Sequence, residues 1–519
     1  MNPIHATPAV PVFDHWKREC ETMFYELCQG LDTPCPLPIE DVFDIESAVV
    51  LGRGAYGCVL STDEIAGSRP ATKVILVLSG STLSPSERLV ELQEILIHTM
   101  LFRSVLCTRR SPHVLHVYCW GVFPASMHPT FHPLYEMQRM SVPSSPEELS
   151  MHRMFTVTTE QCEESLDTTL FYSFRHIKTF LFELLFTLHA MSDFRFEHRD
   201  LKPQNILFKR QREDGINVYF VRDVGHFYVR PMVDTAERIV KLCDFSLTKL
   251  ALRDDPGNEK NELLIGIDDA FGTPIPVNKD DESGAAPPAS KGYTGSDAWL
   301  YDASMLTSLD SIPRDPRFGT PLDAPAPSHV RTGDTVSDTF RKRVQTRHQP
   351  SYDYDFMNVY RLISSLVIEK KQVRYDRTVV RESLQIVDIL WIEYLVRLLC
   401  GISSDVHRFD VGKSILSLWH AHTSRPDRDA ELLCQFCDDV QRITVQFTRP
   451  GETVLEYIEY GDTLTHLLRH PLFHDLAVYR WDTTAPTSAA APAGNASLPH
   501  WYWSAEPEYA SPPLEPVED

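Results

Sequence analysis

Apolar positions recur along this chain in two rhythms, and the change from one to the other divides it. From "DIESAVVLGRGAYGCVL" to "TKVILVL", short β-branched runs broken by a glycine-rich turn predict antiparallel strands. "SPSERLVELQEILIHTMLFRSV" switches to helical spacing, opened by Ser, Pro and Glu as helix starts often are. "VLHVYCWGVF" and "HPLYEMQRM" return to strand-like runs and complete a small β-rich lobe with one main helix. Beyond about residue 150 the spacing is mainly helical, in "FRHIKTFLFELLFTLHAM", "YDYDFMNVYRLISSLVIEKK" and "VDILWIEYLVRLLCGI". The class expected is therefore α+β, with the smaller, sheet-rich lobe first and the larger, helical lobe second.

Several stretches fall outside this plan. Residues 1–43 hold one amphipathic segment, "DHWKRECETMFYELCQGL", which reads as a helical extension. Residues 209–238 interrupt the second lobe and contain "INVYFVRDV" and "HFYVR", an expected inserted hairpin. Residues 251–350 are rich in Pro, Gly, Asp and Ser and too long for an ordinary connection, so they read as a partly disordered or regulatory insertion. From 482 to 519 the chain reads as a low-complexity, acidic, Pro-rich tail.

Composition narrows the partners. Of 519 residues, 50 are Lys or Arg and 72 are Asp or Glu, a net charge of −22 that argues against nucleic-acid binding and suits a basic protein partner. "MNPIHATPAV" lacks the pattern of a signal peptide, and no apolar run reaches membrane-spanning length, so the expectation is an intracellular protein, cytoplasmic or nuclear. The 11 cysteines follow no disulfide spacing and suit a reducing compartment. Cys434 and Cys437 form the one CxxC, inside a helical pattern with no second pair nearby, and read as packing residues.

The candidate chemistry begins at "LGRGAYGCV", where Gly52, Gly54 and Gly57 stand between two strand-like runs. A dinucleotide fingerprint would need a strand leading into a helix, whereas a glycine-rich hairpin can lay its bare backbone over a polyphosphate. Lys73 follows in an apolar strand, where a cation needs an anionic partner. Glu94, among Leu92, Ile95 and Leu96, is the preferred partner, with Glu91 the rival one turn earlier. Then "FEHRDLKPQNILFKR" packs His198, Arg199, Asp200, Lys202, Gln204 and Asn205 together behind an apolar helix, and "KLCDFSLTKL" ends an apolar strand on Asp244.

In this order the segments resemble the protein kinase family, since HRDLKPQNIL matches the family's HRDLKPxNIL at every defined position. The resemblance implies a bilobal protein-kinase-like fold over about residues 44–475, with the smaller lobe at about 44–140 and the larger at about 150–475, closed by "LTHLLRHPLF". It implies ATP and Mg²⁺ as cofactors and a protein hydroxyl as acceptor, of the serine/threonine type because Lys202 follows two positions after Asp200. Asp200 would then be the base and Lys202 the neutralising cation, Lys73 and Glu94 an ion pair on the phosphates, and Asn205 and Asp244 the metal ligands. Leu51, Gly52, Gly54, Gly57, Val59, Ala71 and Lys73 would line the nucleotide site, with Glu136 and Met137 as the adenine-binding hinge after Tyr135.

The chain departs from the family in places. Ser246 replaces the glycine after Asp244 and Phe245, and no APE motif follows; "FGTPLDAPAP" is the nearest stretch. The buried aspartate of the central helix is assigned to Asp355, with Asp353 and Asp302 as alternatives. "FRFEHRD" and the insertion before "LCDFSLTKL" are similar to the haspin branch, and such mixtures also occur in kinases of large DNA viruses. The other function class compatible with these departures is a pseudokinase, a scaffold that binds nucleotide or partners without phosphoryl transfer.

Overall fold

In the computed structural model the described residues are 34–53, 57–61, 70–78, 94–137, 142–143, 145–192, 196–210, 216–221, 225–229, 238–246, 248, 250–253, 262–265, 377–425, 427–446, 460–476 and 500–504. Single positions at 22, 23, 25, 26, 29 and 359 complete them, all helical. The protein is mixed α and β, with an antiparallel five-stranded sheet in the N-terminal region and helices in the C-terminal region.

That sheet is built from β1 (Val49–Arg53), β2 (Gly57–Ser61), β3 (Pro70–Leu78), β4 (Val117–Pro124) and β5 (His152–Glu160), in the order β1-β2-β3-β5-β4. Its strands alternate, so each residue's parity decides its neighbours. Ile75 and Val77 of β3 join Phe155 and Val157 of β5 and Ile95, Leu96 and Ile97 of helix α1 (residues 94–101) in the main core. Val74 and Leu76 face the other way, onto a second cluster with Leu60, Met154, Phe131 and Tyr135. Lys73 shares the parity of Ile75 and therefore stands on the α1 side.

Two expectations about this region are corrected. "HPLYEM" forms a short helix, His132–Met137, rather than a strand. Its Leu134 and Tyr135 are both buried on the second cluster, a pairing of adjacent apolar residues that a strand could not send to one face. The strand that completes the sheet is "HRMFTVTTE", so the sheet continues to Glu160 rather than ending near residue 140. Seven of its nine residues are fully buried in succession, from Met154 onward, and a strand covered on both faces loses the alternation that would announce it.

Beyond the sheet lie α2 (Phe174–Ala190), α3 (Arg377–Leu399), α4 (Asp410–Ser424), α5 (Arg428–Gln446) and α6 (Tyr460–Leu468). Ser173 caps α2, its hydroxyl accepting the His176 N–H at 3.3 Å. α2 is buried nearly all round, with Phe180, Leu181, Phe182, Leu184, Leu185 and Phe186 within the core. Even its Lys178 is enclosed, held by Asp429 at 2.8 Å and Asp475 at 2.6 Å.

Small sheets decorate this helical region. β6 (Glu164–Ser165), β7 (Ile206–Arg210) and β10 (Arg238–Leu242) form one, in the order β10-β7-β6. The expected inserted hairpin is present as β8 (Ile216–Val221) and β9 (Gly225–Val229). β11 (Leu250–Arg253) and β12 (Glu262–Ile265) make a further antiparallel pair. A strand not foreseen in the tail, β13 (His500–Ser504), runs parallel to β8 from His500 opposite Ile216 to Ser504 opposite Phe220. Trp503 donates its indole N–H to Asn217 Oδ1 at 3.3 Å, fastening the strand. No helix of the described residues is long and apolar enough to cross a membrane.

Candidate active site

Lys73 is where the two regions meet. Its ammonium bonds Glu94 Oε1 of α1 and lies 3.3 Å from Asp244 Oδ1, which follows β10. Burial works against the Lys73 charge, but Asp244 and Glu94 outweigh it and hold its pKa above the ordinary lysine range. Burial likewise opposes the Asp244 charge, yet Lys73, Lys202 and a hydrogen bond from Ser246 hold its carboxyl well below the carboxylate range. Glu94 goes the other way, pushed up by burial and by Asp244 against the pull of Lys73. Lys73 and Asp244 thus form the firmly charged pair, with Glu94 the weaker member of the triad. Glu91 lies outside the described residues.

The second group is the 198–205 loop, which runs from α2 into β7. Lys202 Nζ reaches Asp200 Oδ2 at 2.6 Å, and Asn205 Nδ2 donates to Asp200 O and Oδ2, both at 2.9 Å. Asp200 Oδ1 is buried and has no hydrogen-bond partner among the described residues. An unpartnered carboxylate oxygen is costly in a protein interior, and a substrate hydroxyl or an ion would relieve it. His198 Nε2 must be the protonated nitrogen, because it bonds the Cys243 carbonyl at 3.1 Å while Nδ1 accepts the Asp200 N–H at 3.4 Å.

The loop holds this shape through residues that the motif does not contain. Arg199 has φ of 67°, a left-handed conformation uncommon for a side-chain-bearing residue. Asp388 on α3 accepts the His198 N–H at 2.8 Å and the Arg199 N–H at 2.7 Å, and Trp391 Nε1 donates to Arg199 O at 2.9 Å. Asp388 is itself fully buried; Asp355, Asp353 and Asp302, the residues considered above for the buried aspartate, lie outside the described residues. The signal was a pair of carboxylates, Asp388 and Glu393, inside the otherwise apolar run "VDILWIEYL", every residue of which is buried. Arg199 also bonds Glu197 Oε2 through Nε at 2.9 Å, away from solvent.

Ser246 behaves differently from a substituted glycine. Here the left-handed backbone falls on Asp244, at φ 61°, and the Ser246 hydroxyl donates to Asp244 Oδ1 at 2.9 Å. The residue therefore adds, beside Lys73, a second bond to the Asp244 carboxylate that a glycine could not make. Phe245 is fully buried between the rings of His98 and His198, at centroid distances of 5.1 and 5.5 Å.

β1 and β2 flank the glycine-rich stretch, of which Gly54, Ala55 and Tyr56 lie outside the described residues. A Cβ on Gly57 would come within 2.6 Å of the Val74 carbonyl, so packing alone requires that glycine. A Cβ on Gly52 would meet nothing within 4 Å, so packing does not explain it. Val59 lies opposite Lys73 in the β2–β3 register, Ala71 is half-buried two residues before Lys73, and Leu51 is exposed.

Glu136 and Met137 are not brought to this group. They belong to the short helix on the second cluster, across the sheet from Lys73, so the expected hinge is corrected. The chain passes from the sheet to the helical region at Glu160, whose side chain pairs with Lys209 of β7 and with Lys241 of β10 at 2.7 Å. Burial opposes its charge, but the two lysines bring its pKa down to about 2.

Among the described residues no three His, Cys, Asp or Glu side chains converge as a metal cluster. The oxygens of Asp244 and Asn205 suit Mg²⁺, which usually takes one or two protein ligands and completes its shell from phosphate and water. No protein-family model matches the chain, and no curated protein matches it.

Proposed function

We propose that the chain is a divergent member of the protein kinase family that transfers the γ-phosphoryl group of ATP to serine or threonine hydroxyls of proteins. One observation carries this reading: the buried, unpartnered Asp200 Oδ1, beside Lys202 and Asn205, in a chain whose Lys73 joins Glu94 to Asp244. Phosphoryl transfer needs little covalent help from protein; it needs positioned charge and an acceptor for one proton.

Each group has a defined task in this reading. Asp200 Oδ1 accepts the hydrogen bond of the attacking hydroxyl and takes its proton, while Lys202 and Asn205 keep the other oxygen fixed. Lys73, positioned by Glu94, binds nucleotide phosphate oxygens, and Gly52 lets the backbone of β1 come close to them. Asn205 and Asp244 would hold Mg²⁺, which when bound neutralises phosphate charge. The adenine-binding backbone is then the passage after Glu160 rather than Glu136 and Met137.

The pseudokinase reading is favoured by a single observation: Asp244 Oδ1 is already engaged by Lys73 and Ser246. Radiolabelled ATP with Mg²⁺ and a basic protein such as histone separates the two. Label appearing on serine or threonine, and lost in Asp200→Ala, supports transfer. A nucleotide-dependent thermal shift without any label would leave the scaffold.

A further inference from the structure

β7 pairs with one side of β10, and among the described residues the other side meets no strand beyond a single bridge from Val114 to Leu242. Backbone N–H and C=O groups on a buried edge still need partners. Leu242 finds one in the main chain, donating its N–H to the His113 carbonyl at 2.8 Å. Two residues earlier, at the buried Val240, side chains take over. Glu183 Oε2 of α2 accepts the Val240 N–H at 3.1 Å, and His113 Nδ1 donates to the Val240 carbonyl at 2.8 Å. A helix and a loop thus supply the two bonds that a further strand would otherwise make.

Glu183 is held in its turn by the inserted hairpin. Tyr219 of β8 is fully buried, with its hydroxyl 3.5 Å from Glu183 Oε1 and its ring stacked on His113 at a centroid distance of 5.5 Å. Phe182 and Phe186 of α2 close on the same ring at 5.5 and 4.8 Å. The other residues of α2 from Phe180 to Phe186 are apolar and buried, so a leucine at 183 would pack there without the cost of enclosing a carboxyl. What a leucine cannot do is accept the Val240 N–H.

We propose that Glu183 is a positioning residue for Asp244, fixing β10 against α2 with the inserted hairpin bracing it through Tyr219, a role that rests on the reading of Asp244 as a holder of Mg²⁺. The connection is short. Leu242, the last residue of β10, lies opposite Ile206, the first of β7, and Cys243 donates its N–H to Asn205 O at 3.1 Å. Asn205 and Asp244, the two residues assigned to the metal, therefore flank this pairing, and their spacing depends on where β10 lies. Burial raises Glu183 to about 8 against the pull of the Val240 N–H, Tyr219 and Lys241, and His113, 3.9 Å away, is lowered by burial to about 3, so both are neutral near pH 7. Glutamine at 183 thus matches the shape and the charge of the native side chain.

Hydrogen exchange of the full chain without nucleotide, read by mass spectrometry on peptides covering 238–246, tests the placement of β10. Glu183→Leu should speed exchange there by about tenfold or more, while Glu183→Gln stays within about twofold of the wild type. Tyr219→Phe, which removes one hydroxyl, should give a change between the two and serves in place of Glu183→Leu should that variant not fold. In phosphoryl transfer, Glu183→Leu should raise the Mg²⁺ concentration for half-maximal rate by about tenfold and leave the KM for the acceptor protein unchanged, a split that general destabilisation would not give. Exchange at 238–246 unaltered by Glu183→Leu and Tyr219→Phe, an equal loss of protection across α3 and α5, or exchange in Glu183→Gln as fast as in Glu183→Leu would each overturn the proposal. A wild type that transfers no phosphate would instead remove the proposed function, and the exchange measurements would still decide whether Glu183 places β10.

Discussion

The Lys73 ammonium stands 3.3 Å from the Asp244 carboxylate, although 171 residues separate them in the chain. Glu94 holds the same ammonium from the opposite element, so one cation sits between the sheet, α1 and the segment after β10. That arrangement, together with the loop around Asp200, sets the first two predictions.

Asp200→Ala should reduce phosphoryl transfer by at least about 10²-fold, a loss of roughly 2.7 kcal/mol in transition-state stabilisation. A thermal shift with ATP and Mg²⁺ should persist in this variant, because in the proposed mechanism Asp200 acts on the acceptor hydroxyl. Initial rates with radiolabelled ATP, compared with the wild type, check it; equal rates would remove Asp200 from the role of base.

Lys73→Met should abolish that thermal shift as well as transfer, since it leaves the Glu94 and Asp244 carboxylates facing each other without a cation. Glu94→Gln, which preserves an acceptor for the ammonium while removing its charge, should lose transfer less severely, by about tenfold. Nucleotide affinity measured by calorimetry distinguishes the two; undiminished affinity in Lys73→Met would separate this lysine from the phosphates.

Asp388→Ala withdraws the acceptor of two buried backbone N–H groups, one of them on the left-handed Arg199. Destabilisation of about 3 kcal/mol or more is expected, read as a lower denaturant midpoint. Asp388→Asn retains one acceptor oxygen and should cost less. Because Asp388 bonds the backbone of the loop, the proposed mechanism expects Asp388→Asn to lower kcat while leaving the KM for ATP near the wild-type value.

Stability should peak near pH 6.5. His98 and His113 are buried and lowered to about 4 and about 3, so the folded state binds fewer protons than the unfolded one below 6.5 and loses stability as acid is added. Glu183, raised by burial to about 8, does the opposite: its contribution is complete below 4.5 and fades as pH rises through 8. The two histidines outweigh it below 6.5, where their contribution ends, while its own loss continues above. Below 4.5 the loss steepens as Glu160, lowered to about 2, takes up its proton. Facing one another at 3.9 Å, His113 and Glu183 would be an ion pair only if both were charged, and burial keeps both neutral at that optimum. Thermal midpoints across pH 4 to 9 check the curve; a plateau from 6.5 to 8 would exclude the Glu183 effect.

Much of the site could be read in the sequence, because its chemistry is local. Asp200, Lys202 and Asn205 lie within six positions and bond one another. Lys73 and Glu94 announced themselves as charges in apolar runs. Asp388 did so equally, but its partners are backbone groups 189 and 190 residues away, and no residue type marks them. β5 was missed because burial on both faces removed its alternation, and β13 because Trp501 and Trp503 follow a Pro- and Ala-rich stretch. That the left-handed position near Ser246 belongs to Asp244 carried no sequence signal.

The pairing of β13 with β8 also bears on how the molecule is made. Trp503 and Asn217 are 286 residues apart, so on the ribosome the hairpin is synthesised long before its third strand emerges. Contacts of such sequence separation form late, after the entropy of closing the intervening chain has been lost. Until then β8 presents a bare edge, the kind of template on which nascent chains associate. Biosynthesis of this protein thus has a vulnerable interval whose length is set by translation speed.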